Sequence, residues 1–156
     1  MKTLLILVGK TTSKVFNTGI NDYVERISHY MPFDIITIPE LKNTKSITEE
    51  QQKEKEGELI LKHIQPGDTL VLLDEHGKEL RSIELANWLE RKQQTCRRLV
   101  FVIGGPYGFS KEVYDKANEK ISLSKMTFSH QMVRLIFTEQ IYRACTIIKG
   151  EPYHHE

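Results

Sequence analysis

The sequence predicts an α/β fold with a mainly parallel sheet flanked by helices. Short apolar runs alternate with longer segments in which apolar residues recur every three or four positions, the periodicity of amphipathic helices. The apolar runs lack the polar alternation of half-exposed strands, which indicates strands buried on both faces of a parallel sheet. No repeat, low-complexity block or linker divides the 156 residues, so we expect residues 1–156 to form a single domain.

The first third of the chain is predicted to hold two strands around one helix. Thr3–Val8 is a mostly apolar run typical of a buried strand. Apolar residues then recur from Phe16 to Met31 as one helical stripe. Pro32 ends this helix, because the residue before a proline disfavours the helical conformation. Phe33–Ile38, rich in β-branched residues, follows as the second strand.

The middle third is predicted to hold helix, strand and helix. A second helix is expected over Ser46–Ile64, and its opening Ser46-Ile47-Thr48-Glu49 fits a capping box. After the turn Pro66-Gly67-Asp68, Thr69–Leu73 is the third strand. Ser82 is then expected to cap a helix that runs from Ile83 to about Gln94.

The last third contains the clearest strand of the chain, Leu99–Ile103, which the glycine-rich segment Gly104–Gly108 ends. Ser110 is expected to cap the next helix. A short strand at Ile121–Ser124 precedes the last helix, Gln131–Lys149. The apolar residues of that helix occupy more than one stripe, which favours burial on two sides, the second of them supplied by a homodimer.

The charge balance argues against a strongly basic nucleic-acid binder. The chain has 22 Lys and Arg against 21 Asp and Glu, a net charge of +1. The distribution is uneven, because Lys120–Gly150 contains five basic residues and one acidic residue. A patch this small and local argues against avid, indiscriminate binding of nucleic acid and is compatible with a partner bound through few phosphate contacts.

Cysteine content and hydropathy point to the cytoplasm. Cys96 and Cys145 are too few for a disulfide framework or a four-cysteine zinc site, which favours reduced thiols. The opening Met1–Gly9 resembles a signal peptide, but its apolar run is short and no cleavage site follows. No run approaches the ~20 apolar residues of a membrane span. We therefore expect a cytoplasmic protein with no membrane partner.

Two glycine-containing segments invite nucleotide-binding interpretations. Gly9-Lys10-Thr11 is not a P-loop, because Leu4 stands where the first glycine of that motif would be. Gly104-Gly105-Pro106-Tyr107-Gly108 lacks the spacing of a dinucleotide-binding loop. This second segment is either a plain turn or a loop whose glycines let a ligand approach the backbone at the end of a strand.

The C-terminal third carries further candidates. Leu123–Phe128 mixes apolar side chains with hydroxyls, which suits either a structural connection or the wall of a pocket for a flat heterocycle. His130 is either a helix-entry histidine or a site residue. His154, His155 and Glu156 form a poor metal site, because adjacent histidines in a terminal tail point in different directions, and we expect no metal.

The order of the C-terminal motifs resembles that of the RlmH family of ribosomal RNA methyltransferases, which belongs to the SPOUT class. The motifs are Gly104-Gly105-Pro106, Leu123–Phe128, His130, Val133-Arg134, Glu139–Ala144 and the terminal Pro152-Tyr153-His154. The resemblance covers the whole chain, and its N-terminal motifs, Val8-Gly9-Lys10 and Lys53–Gly57, are less specific than the C-terminal ones.

This resemblance implies a C-terminal trefoil knot, a homodimer built on the C-terminal helices, and S-adenosylmethionine (SAM) as methyl donor. The implied substrate is a pseudouridine of 23S rRNA (position 1915, in helix 69), methylated at N3 in the large subunit or the assembled ribosome. The implied cofactor contacts are Leu73, Gly104, Gly105, Leu123, Ser124, Lys125, Met126, Thr127 and Phe128. The family often has Arg or Lys after the Tyr-His pair of the tail, where this chain has His155.

The implied chemistry requires a base, because an N3 atom that keeps its proton has no available lone pair. A neighbouring base, or cations that stabilise the anion, would meet this need. The candidates are His130, Tyr153 and His154, with Arg134 as electrostatic support.

Two other interpretations stay open at this point. One is a non-catalytic dimer that binds RNA or the ribosome and keeps the same fold, which would not bind SAM. The other, less favoured, is a flavodoxin-like protein that uses the loop at Gly104 for the phosphates of a flavin or nucleotide.

Overall fold

The computed structural model describes all 156 residues and contains one parallel sheet of five strands. The strands are β1 (Lys2–Val8), β2 (Phe33–Ile38), β3 (Thr69–Glu79), β4 (Arg98–Ile103) and β5 (Glu119–Ser122). The helices are α1 (Lys14–Ser28), α2 (Glu49–Leu61), α3 (Ser82–Thr95), α4 (Lys111–Lys116) and α5 (Met132–Ile148). The strand order is β2-β1-β4-β3-β5 and every neighbouring pair is parallel, which confirms the predicted fold class. The trefoil knot stays a prediction.

Helices cover both faces of the sheet, which explains why β1 and β4 are so uniformly apolar. Leu5 and Leu7 belong to a core that includes residues of α1, α3 and α5. Leu4 and Ile6 belong to the opposite core, with residues of α2 and α4. Successive side chains of a strand point to opposite faces, so each face of β1 is buried against its own helices. None of the helices combines the length and apolarity needed to cross a bilayer.

Two helices begin differently from the sequence prediction. The capping box of α2 is formed by Thr48 and Gln51, whose side chains each accept from the other's backbone N–H, at 3.0 and 2.9 Å. Ser46 lies earlier, in a short 3₁₀ turn. The sequence allows both boxes, because two Ser/Thr residues each precede an acid or amide by three positions.

The start of α3 is the second difference. Its N-cap is Arg81, whose backbone N–H donates to Glu84 at 2.8 Å. Ser82 lies inside the helix, and its hydroxyl instead donates to Gln140 of α5 at 2.8 Å. A tertiary contact therefore uses the hydroxyl that the sequence prediction assigned to the cap.

β3 is longer than predicted because it contains an irregularity. Leu73, where the sequence prediction ends the strand, pairs with Ile121 of β5. The register then shifts, so that Lys78 pairs with the same residue, and the chain between them bulges out of the ladder. β5 in turn ends at Ser122, two residues before its predicted end. The bulge places additional polar residues at the carboxyl edge of the sheet.

The last helix, α5, packs between α1 and α3 and against the sheet. Its buried apolar residues include Phe137, Ile141 and Ala144. The two-sided apolar pattern is thus explained in part within one chain, since α1 and α3 flank α5. Leu135 and Ile136 are half-buried, and the homodimer stays a prediction.

Candidate active site

A cavity of about 510 Å³ opens at the carboxyl ends of β3, β4 and β5. Its walls are the bulge in β3, the β4–α4 loop and the β5–α5 loop, and its lining mixes apolar and polar side chains. Open parallel sheets bind ligands at this edge. The volume and mixed lining suit a small organic cofactor.

The β4–α4 loop forms a wall made largely of backbone. A Cβ atom at Gly104 would lie 2.9 Å from Cε1 of Phe109, and one at Gly105 would lie 2.8 Å from Oε1 of Glu56. Gly108 has a φ of +81° and donates to the carbonyl of Gly105 at 3.3 Å, which closes a tight turn. The segment is therefore both a turn and a cavity wall, the two possibilities that the sequence left open.

The bulge in β3 forms the second wall. Gly77 lies against the backbone of β5, where a Cβ would come within 2.6 Å of the carbonyl carbon of Ile121. Ahead of it, the Asp74 carboxylate accepts from the Tyr114 hydroxyl at 2.8 Å and from the backbone N–H of His76 at 3.3 Å. Burial and this contact with Asp74 raise the pKa of Tyr114. The phenol therefore acts as a donor that fixes the bulge.

The β5–α5 loop, the third wall, is held by its own hydroxyl groups. Ser122 donates to the carbonyl of Ser124 at 3.0 Å, and the Ser124 hydroxyl accepts from the N–H of Met126 at 2.9 Å. Ser129 accepts from the N–H of Met132 at 3.1 Å, where α5 begins. Such short-range bonds give a loop without Gly or Pro a defined shape.

The residues predicted to contact the cofactor all line this cavity, although their role stays a prediction. They are Leu73, Gly104, Gly105, Leu123, Ser124, Lys125, Met126, Thr127 and Phe128. His130 also lines it and is exposed. It is the one predicted catalytic residue that the fold places at the cavity of its own chain, and it makes no side-chain hydrogen bond there.

Arg134 lies elsewhere and is 1% exposed. Its guanidinium donates to the carbonyls of Val8 and Gly9, at 2.8 and 2.9 Å, and to the hydroxyl of Thr11 at 2.9 Å. The neighbouring Gln131 bonds the same β1–α1 loop at the N–H of Thr12, at 2.8 Å. Within one chain, Arg134 thus fastens this loop to α5 and does not face the cavity.

Tyr153 and His154 also lie away from the cavity, along α5. The Tyr153 hydroxyl donates to Glu139 at 3.1 Å, and burial is the main cause that raises its pKa. Arg143 donates to Nδ1 of His154 at 3.0 Å, while Nε2 contacts Glu156 at 2.9 Å. No group of three or more His, Cys, Asp or Glu side chains is placed to hold a metal ion.

Several lining residues were missed by the sequence analysis. Asp74, Glu75 and His76 directly follow the apolar run Leu70–Leu73, at which the sequence prediction ends the strand, so the rule that ligands bind at strand carboxyl ends gave a usable signal for them. Lys53 and Tyr114 reach the cavity from α2 and α4. Lys53 belongs to a motif of the family resemblance but was not assigned to the site, and no local pattern in the sequence distinguishes Tyr114.

Comparisons with known proteins show the family to which the chain is related. A family model described as "Predicted SPOUT methyltransferase" matches residues 1–154. A protein of Bacteroides fragilis named "Ribosomal RNA large subunit methyltransferase H" is 68% identical, with both chains covered in full. Proteins of the same name from Phocaeicola vulgatus and Flavobacterium psychrophilum are 67% and 56% identical, again over the full length of both chains.

Proposed function

The chain belongs to the SPOUT methyltransferase family, and we propose that it methylates large-subunit ribosomal RNA with SAM as donor. The proposed target is N3 of the helix 69 pseudouridine in 23S rRNA, within the large subunit or the assembled ribosome. The observation that carries the proposal is the convergence of three strand ends on one cavity with His130 at its edge. We further propose that the protein works in the cytoplasm as a homodimer, consistent with ribosomal RNA as substrate.

The cavity fits SAM in volume and in the nature of its walls. The wall at Gly104 and Gly105 carries no side chains, because Phe109 and Glu56 occupy the space where a Cβ atom would lie, so a ligand can approach its backbone closely. Leu73 and the segment Leu123–Phe128 add apolar contacts and backbone hydrogen-bonding groups on the other walls. When bound, SAM supplies a methyl group from its sulfonium and leaves as S-adenosylhomocysteine. The protein's task is to hold donor and base in line.

His130 is the base that the geometry favours. Its imidazole lines the cavity and is exposed, so it can reach a base that enters from solvent. In the single chain, Nδ1 of His154 already accepts from Arg143, which leaves Nε2 as the protonated nitrogen and no free lone pair. The Tyr153 hydroxyl donates to Glu139 and has a raised pKa, so it keeps its proton at neutral pH.

The tail residues can contribute to the reaction only through a second copy or a rearrangement, since they lie along α5 of their own chain. In the proposed homodimer, the tail of one protomer would have to reach the cavity of the other. A heterodimer of two inactive variants, His130→Ala in one chain and Tyr153→Phe in the other, would then regain activity at one of its two cavities.

The proposed reaction is tested on ribosomes from a strain that lacks the corresponding enzyme. Purified protein and radiolabelled SAM should modify 23S rRNA, and nuclease mapping should place the label on N3 of the helix 69 pseudouridine. His130→Ala should lower the rate at saturating SAM by 10²-fold or more, with SAM affinity unchanged. The matched control is His155→Ala, an exposed histidine of the tail.

Calorimetry with SAM separates this proposal from a non-catalytic RNA-binding dimer. Binding of SAM supports the enzyme, whereas its absence in a folded protein contradicts it. Label on another nucleoside would retain the methyltransferase and overturn the proposed target.

A further inference from the structure

Glu56 of α2 lies directly behind the glycine wall of the cavity. Its side chain is buried, with 6% of the residue exposed. Both carboxylate oxygens face Gly105, because a Cβ placed there would lie 2.8 Å from Oε1 and 3.2 Å from Oε2. Gly105 itself lines the cavity. Only one backbone segment therefore separates the carboxylate from whatever the cavity holds.

This carboxylate has no cationic partner within the protein. Its one hydrogen bond comes from the side-chain amide of Gln52, at 3.1 Å. The neighbouring Lys53 instead pairs with Glu50, at 3.0 Å. Burial and the charge of Glu40 raise the pKa of Glu56. A buried carboxylate without a cation is costly, so a positive charge arriving on the other side of Gly105 would stabilise it.

The proposed donor carries such a charge on the atom that holds the methyl group. SAM is a sulfonium cation, and its product, S-adenosylhomocysteine, is a neutral thioether at the same position. The amino and carboxylate groups of the methionine portion are common to both. A fixed negative charge near the sulfur therefore distinguishes the two molecules. The shape of the cavity cannot do so to the same extent, because the two molecules differ by only one methyl group.

We propose that Glu56 gives the site its preference for the methyl donor over the spent product, through the negative charge it holds behind Gly105. This inference rests on the proposed function, since it assumes that SAM occupies the cavity. The charge also favours product release, because the attraction is lost when the methyl group leaves and the sulfur becomes neutral.

The decisive variant is Glu56→Gln, which removes the charge and keeps the size and a carbonyl oxygen for Gln52. Calorimetry should show SAM affinity lowered about ten-fold, as expected for one partly screened charge several ångströms away. The affinity for S-adenosylhomocysteine should change less than two-fold. The control is Glu58→Gln on the same helix, whose carboxylate is exposed and whose loss should alter neither affinity.

A second variant keeps Glu56 and compensates its negative charge with a neighbouring cation. Gln52→Lys places an ammonium where the amide now contacts the carboxylate, and it should also reduce the preference for SAM. This variant decides the question if Glu56→Gln does not fold, which thermal unfolding would reveal.

The outcomes separate cleanly. Equal weakening of the binding of both ligands would mean that Glu56 only supports the shape of the loop. Unchanged affinities for both ligands would mean that its charge is not felt in the cavity. Either result overturns the inference. If the unmodified protein binds neither ligand, the proposed function fails instead.

Discussion

Replacing Arg134 by methionine should destabilise the protein by about 3 kcal/mol. The guanidinium makes three hydrogen bonds of 2.8–2.9 Å to two backbone carbonyls and one hydroxyl. Hydrogen bonds to charged groups contribute about 1.5–3 kcal/mol each. The net loss is smaller than their sum, because methionine also removes a buried charge and an Nε atom that has no partner.

The assay is thermal or urea unfolding at one fixed protein concentration, since a dimer would make the midpoint depend on concentration. For a chain of this size, 3 kcal/mol corresponds to about 6–12 °C in Tm. Arg134→Lys should lose about half as much, because a compact ammonium cannot reach three acceptors with the geometry of a planar fork. The matched control is Arg97→Met, whose side chain is exposed and makes no hydrogen bond.

Two results would refute this reasoning about Arg134. A methionine variant within about 1 kcal/mol of the unmodified protein would show that the three bonds contribute little net stability. A lysine variant of normal stability, normal SAM affinity and strongly reduced rate would restore the electrostatic role that the family resemblance implies for this residue.

Three further perturbations have defined outcomes. Gly77→Ala should lower the free energy of unfolding in urea by more than about 2 kcal/mol and weaken SAM binding, because its Cβ would lie 2.6 Å from the β5 backbone. The control is Gly67→Ala, at a φ of +88° with no atom nearby, which should lower the free energy of unfolding by only about 1 kcal/mol. Burial raises the pKa of Cys145 to about 12. A thiol reagent at pH 8 should therefore modify only the partly exposed Cys96 until the protein is unfolded. Modification of both cysteines in the folded protein would contradict the burial of Cys145. Gln131→Leu removes the two hydrogen bonds that hold the β1–α1 loop to α5, so it should raise the KM for ribosomes several-fold and leave the SAM affinity unchanged. An unchanged KM would show that the loop plays no part in docking on the ribosome.

The sheet could be predicted from the sequence because a strand that is buried on both faces consists almost entirely of apolar residues. β1 and β4 are apolar at nearly every position, and the structure buries alternate residues in opposite cores. The irregularity in β3 could not be predicted in this way. The residues after Leu73 are polar and read as the end of a strand, and they rejoin the sheet only because β5 offers a partner at Lys78.

The candidate site, too, could be predicted from the sequence only in part. The loop residues from Gly104 and Leu123 onward could be assigned to one cavity because parallel strands bring their carboxyl ends to one edge. The surroundings of Arg134 and Tyr153 could not be predicted, since a family motif identifies a residue but not the groups that it contacts in the fold. A buried arginine that binds three acceptors in another loop has the same sequence signature as one that faces a substrate.

The cavity owes its shape to packing that does not depend on a ligand. Phe109 sets the position of the loop at Gly104, the β5 backbone sets that of Gly77, and serine hydroxyls fix the segment that begins at Leu123. Walls fixed in this way can orient a cofactor without ordering themselves at the moment of binding, which lowers the entropic cost of binding. Selectivity between two ligands of nearly equal shape must then come from charge, and Glu56 is the buried, cation-free carboxylate that these walls place beside them.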